Sequence, residues 1–215
     1  MATQVAADLR PAWRGRIHRV AAMTFAPLFV LLVVLAGSAS DRVAVAVYGA
    51  CVTAMLGVSA VYHSGKAGPA ATRRLKRLDH STILLAIAGS YTAITALSLH
   101  GDAKTRMLVI VWVAAVIGIT IRMAWLDAPY PLVAVVYVVV GWIAVVALPD
   151  YLDALSALEM GLVVAGGLLY TAGGVVYALH KPNPWPATFG YHEVFHALVV
   201  GGAAAHYLTV LSLVT

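Results

Sequence analysis

The chain has 215 residues, 62% hydrophobic and 11% charged, with a formal net charge of +5 and a mean hydropathy of +0.90. Soluble proteins carry roughly 25% charged residues, so this composition excludes a soluble globular protein and predicts a polytopic all-α membrane protein, with residues 1–215 as a single domain. The 14 Lys and Arg cluster in short loops, as topology determinants do, so the expected partner is the lipid bilayer and no nucleic acid.

A bilayer-crossing helix needs about 20 mostly apolar residues. Seven segments qualify, at approximately 20–37, 43–63, 79–98, 106–124, 131–148, 157–179 and 188–213. The first follows Arg10, Arg14, Arg16 and Arg19 and runs into LAGSAS. Its apolar stretch exceeds the roughly 7–15 residues of a signal-peptide core, and further spans follow it, so an uncleaved first helix is predicted. The second span holds Cys51, the single cysteine of the chain, which excludes an intrachain disulfide and reads as a small buried hydrophobe. Breaks at 37–41, 64–77, 100–104, 127–131, 149–153 and 180–186 are each marked by Gly, Pro or charge. The sixth and seventh spans carry Gly166, Gly167, Gly173, Gly174, Gly201 and Gly202, which give them small faces for close helix packing.

With the N-terminus in the cytosol, Arg10, Arg14, Arg16, Arg19, Lys66, Arg73, Arg74, Lys76, Arg77, Arg122 and Lys181 all fall on the cytosolic side. Only Arg42, Lys104 and Arg106 fall outside. The positive-inside rule therefore places the N-terminus in the cytosol and the C-terminus outside.

Ionisable residues within a membrane are costly and face a bundle interior or a water-filled cavity. His63 ends the second span in SAVYHS, and Asp79 opens the third in RLDHS. At 1.5 Å per residue, His192 and His196 lie about 6 and 12 Å into the seventh span from its cytosolic start. All four therefore share a depth near the cytosolic side. The spacing of four stacks His192 over His196 on one helix face, and places Ser59 one turn deeper than His63. Three imidazoles and a nearby carboxylate suit zinc, with a fourth position open to water. Zinc lowers the pKa of bound water towards about 7 and polarises carbonyls; Asp79 is placed to hold or deprotonate that water, and Ser59 to hydrogen-bond it or the substrate oxygen. A structural role for Asp79, at a helix N-terminus or beside Arg77, stays open, as does helix packing for Ser59.

HEVFH also matches H-E-x-x-H, a zinc-protease pattern in which Glu193 would be the general base. The only histidine downstream of it is His206. On a continuous helix His206 lies about 15 Å beyond His196, too far to share a metal with it. His63 is the better-placed third ligand. His206 is then expected to be an interfacial histidine near the outer end of the span, His18 to contact the interface or anionic lipid, and His80, His100 and His180 to have no assigned role.

Taken in order, RGRIH (14–18), SAVYHS (59–64), RLDHS (77–81), AGSYTA (88–93) and GYHEVFHALVVGG (190–202) resemble the motifs of the bacterial hemolysin III proteins. These belong to the progestin and adiponectin receptor (PAQR) superfamily and are more distantly related to alkaline ceramidases. The resemblance covers essentially the whole chain. It implies a seven-helix protein of the cell inner (plasma) membrane that holds Zn2+ near the cytosolic face through His63, His192 and His196. It also places Asp79 on the bound water and Ser59 beside it, so that Glu193 is not the base and instead pairs with a neighbouring helix, His18 or Arg14. Ala93 stands where the family commonly has proline, which bears on a kink in the third span. Likeness to ceramidases implies hydrolysis of a lipid amide or ester bond. A non-enzymatic lipid sensor with structural zinc, and the cytolytic activity in the family name, are the alternatives, although the chain shows no obvious pore-forming segment.

Overall fold

The computed structural model describes residues 11–215; Arg10, counted above among the cytosolic cations, lies outside them. The described chain runs through α1 (Arg16–Leu35), α2 (Ala39–Tyr62), α3 (Pro69–Ser98), α4 (Gly101–Ala124), α5 (Tyr130–Gly141), a 3-10 turn (Ile143–Ala147), α6 (Leu148–Ala154), α7 (Ala157–Leu179) and α8 (Tyr191–Val214). With α5, the turn and α6 forming one interrupted span, seven elements of 20–30 residues are long and apolar enough to cross a membrane. At 1.5 Å per residue they reach about 30–45 Å, enough for a hydrocarbon core about 30 Å thick. Large apolar side chains such as Val109, Val113, Val116, Ile117 and Ile121 of α4 are exposed. A surface of this kind is stable against lipid, not water.

The largest boundary difference from the sequence is in the third span. Residues 64–77 read as a loop, yet α3 begins at Pro69. Proline fits the first helical turn, and the Arg, Leu and Lys that follow are strong helix formers. Asp79 consequently lies well inside α3, so an N-terminal dipole does not account for it.

The fifth span is not the continuous helix that residues 131–148 suggest. It breaks after Gly141, and Tyr91 of α3 fills the break. The Tyr91 hydroxyl donates to the Gly141 carbonyl at 2.8 Å and accepts from the Ala144 amide at 2.7 Å. In an apolar medium, backbone groups released from a helix need such partners.

The core joins α1, α2 and α8 through Phe25, Phe29, Tyr48 and Tyr207; the Phe29 and Tyr48 rings meet edge to face at 4.9 Å. Gly166 of α7 and Gly202 of α8 serve close packing. A Cβ on Gly202 would stand 2.9 Å from the Tyr170 ring, and one on Gly166 would stand 2.4 Å from His206. Toward the opposite end of the bundle from the basic loops, Thr95 bonds Tyr151 at 2.7 Å and Ser212 donates to Glu159 at 2.9 Å.

Candidate metal centre

His63 is the C-cap of α2, its amide bonded to the Ser59 carbonyl at 2.9 Å. That cap places the imidazole where the helix ends and the basic loop begins. His192 and His196 lie in the first two turns of α8, stacked by their spacing of four. One ligand atom from each of His63, His192 and His196 falls within 4.8 Å of the others. The Nε2 atoms of His63 and His192 are 3.1 Å apart. His196 is 2% exposed and His192 9%. Three ring nitrogens converging on one point, two of them from buried residues and that of His63 from a half-buried one, with no sulfur among them, fit a divalent ion of intermediate softness.

Asp79 lies alongside, its Oδ2 3.8 Å from His63 Nε2. Ser59 is buried one turn above His63 on α2, in the neighbourhood of the Asp79 carboxylate. Helices α2, α3 and α8 thus bring together all five residues singled out in the sequence. Ser59 lies beside Asp79 in this group.

The N-terminal motif RGRIH encloses this centre. Arg14 Nε donates to Glu193 Oε1 at 2.6 Å, while the Gly190 amide donates to Oε2 at 2.9 Å. Both carboxylate oxygens of Glu193 are engaged and the residue is fully buried. Glu193 is therefore a cap and an ion-pair partner, and Arg14 is the partner among those considered. Gly15, at φ 75°, lays its backbone on α2, where a Cβ would stand 3.0 Å from His63 Cβ; only glycine adopts that conformation in that space at little cost. The Ala12 and Trp13 amides bond the carbonyls of Ala187 and Thr188 at 3.2 and 3.1 Å.

His18 corrects the sequence reading. It is 3% exposed, with its ring stacked on His196 at 3.8 Å and 9° between planes, because α1 begins beside α8 and not at an open interface. The signal that could have found it is the one that selected His63: a histidine at the basic end of an apolar span. His206 is likewise not interfacial. It packs between α7 and α8, its Nε2 3.2 Å from the Val163 carbonyl. His80, given no role, is buried in α3 and bonded to Arg122.

The sequence matches the family described as haemolysin-III related over residues 8–207. The chain belongs to the haemolysin-III related family. Among its relatives is "Hemolysin-3" of Bacillus cereus, 30% identical over 197 residues, which cover 90% of this chain and 87% of the relative. The "Hemolysin-3 homolog" of Bacillus subtilis (strain 168) is 31% identical over 202 residues, covering 90% and 89%. The "Adiponectin receptor protein" of Drosophila melanogaster is 29% identical over 170 residues, 71% of this chain and 38% of that protein. No solved structure matches the chain. Family membership and seven spans together make this haemolysin-III related protein a multi-pass plasma membrane protein.

Proposed function

We propose that this haemolysin-III related protein is a zinc-dependent hydrolase of a lipid amide or ester bond. The observation that carries the proposal is the largely buried cluster of His63, His192 and His196, with Asp79 Oδ2 3.8 Å from His63 Nε2. Nitrogens at tetrahedral zinc, with bonds of about 2.0–2.1 Å, stand about 3.3 Å apart, and the 3.1 Å between His63 and His192 Nε2 is close to that spacing.

His63, His192 and His196 would hold the ion, which when bound supplies Lewis acidity for a carbonyl and for water. The Asp79 carboxylate takes a proton from the attacking water and returns it to the leaving amine or alcohol. Ser59, beside that carboxylate, would orient it or the attacking water through its hydroxyl. His18 backs the His196 ring, and the Gly15 to Glu193 wrap keeps bulk water from the cluster. An apolar groove of about 580 Å3, lined by Trp13, Ile17, Phe189, Ala197 and Val200, runs past the neighbours of His18 and His196 and supports a hydrocarbon chain as part of the substrate.

The test is hydrolysis of a panel of ceramides, phospholipids and lysolipids by purified protein of measured metal content. Wild type releases product, and Asp79→Asn with metal retained loses about 10²–10⁴ in rate, the usual share of a general base. Full metal occupancy with no product from any lipid would count against hydrolysis. A second reading, a lipid-responsive protein with structural zinc, is favoured by the close packing of four imidazoles, His18 included. It predicts that Asp79→Asn retains both metal and function.

A further inference from the structure

A second polar cavity, of about 190 Å3, opens at the basic end of the bundle, lined by Lys76, His80, Arg122, Asp127, Tyr130 and Tyr177. Arg122 is 4% exposed. Its Nη1 donates to the Trp125 carbonyl at 2.9 Å, and its Nη2 to the Leu126 carbonyl at 3.1 Å and to His80 Nδ1. These acceptors are carbonyls and a ring nitrogen. Among the described residues no carboxylate oxygen lies within 4.0 Å of the guanidinium, and its Nε is buried with no hydrogen-bond partner. Arginine does not lose its proton in proteins, so a permanent charge is held out of water with no carboxylate in direct contact, an arrangement that is costly unless an anion completes it.

The surroundings favour an oxyanion. A neutral imidazole that accepts at Nδ1 carries its proton on Nε2, so His80 contributes a donor. Lys76 Nζ bonds Asp127 Oδ1 at 3.2 Å at the mouth, where the Asp127 side chain is 72% exposed. Such a surface pair is weak, and Asp127 can turn to water and release the ammonium. A volume of 190 Å3 is several times the roughly 30 Å3 share of a water molecule, which leaves room for a tetrahedral group. Tyr130, which lines the cavity, is 46% exposed, a residue type that gathers at the headgroup level of a bilayer.

We propose that this cavity is a phosphate-binding site in which Arg122 and Lys76 hold the phosphate of a lipid headgroup or of free phosphate. Arginine and lysine are suited to that group, the first by its fork of donors and the second as a point charge. The site neighbours the histidine centre: Tyr177 lines the cavity and its ring stands 6.1 Å from that of His192. It does not depend on hydrolysis, since the buried charge of Arg122 exists whatever the histidines do.

The test titrates the full-length protein in non-ionic detergent with short-chain phosphatidic acid, with the matching diacylglycerol and with inorganic phosphate, reading binding by native mass spectrometry. Phosphatidic acid should bind at least about tenfold tighter than diacylglycerol, and Arg122→Gln and Lys76→Gln should each remove about that factor, the worth of one charge-assisted hydrogen bond. Lys76 is part-exposed, so Lys76→Gln keeps the test readable if Arg122→Gln fails to fold. Inorganic phosphate that binds as tightly as phosphatidic acid identifies free phosphate as the ligand; much weaker phosphate identifies the headgroup. Equal binding of phosphatidic acid and diacylglycerol, or unchanged affinity in folded Lys76→Gln, overturns the proposal. Metal content measured in the same samples separates the two sites: phosphate binding that persists after metal removal supports the cavity irrespective of the histidine centre.

Discussion

The Nε2 atoms of His63 and His192 lie 3.1 Å apart although 129 residues separate them in the chain. Two imidazoles shielded from water that aim nitrogens at one point need something to share, and with His196 completing the set a cation does this better than a proton. Wild-type protein should carry about one equivalent of metal, and His63→Ala little, by elemental analysis. Chelation should lower the melting temperature of wild type and leave that of His63→Ala unchanged, because the ion binds only the folded state. Equal metal in both proteins would refute this ligand set.

The Arg14 to Glu193 bond ties the segment before α1 to the first turn of α8. Glu193→Gln keeps an acceptor for the Gly190 amide and loses the ion pair, so it should cost about 1.5–3 kcal/mol. The lower part of that range is expected because the Arg14 side chain is 23% exposed. A thermodynamic cycle with Arg14→Ala should show the two changes to be strongly non-additive, as for residues in direct contact. Lipid hydrolysis lost in a folded, metal-loaded Glu193→Gln would instead revive Glu193 as the base.

Removal of the Tyr91 hydroxyl leaves the Gly141 carbonyl and the Ala144 amide without their partner at the break of the fifth span. Tyr91→Phe should destabilise the protein by about 1–3 kcal/mol, the cost of backbone polar groups left unpaired in an apolar medium. Faster amide exchange confined to residues 141–147 should accompany the loss. An unchanged melting temperature together with unchanged exchange would show that the break is satisfied in another way.

Seven spans, the side that carries the cations, and the stacking of His192 on His196 were legible in the sequence, because hydropathy, charge and a spacing of four are properties of local stretches of chain. His63 and Asp79 were legible as candidates by depth, although their approach to α8 was not. The extension of α3 to Pro69 has a local cause that hydropathy alone passes over; tertiary structure alone decided the placing of Tyr91 in the fifth span, the stacking of His18 on His196 and the bonding of His80 to Arg122. His18 and Arg122 show the reason most clearly. Both lie where apolar runs meet basic loops; from sequence His18 reads as an interfacial residue and Arg122 as one of the cytosolic cations. Which of two such residues points to lipid and which is buried depends on how neighbouring helices pack, a relation between segments far apart in the chain that no local pattern encodes.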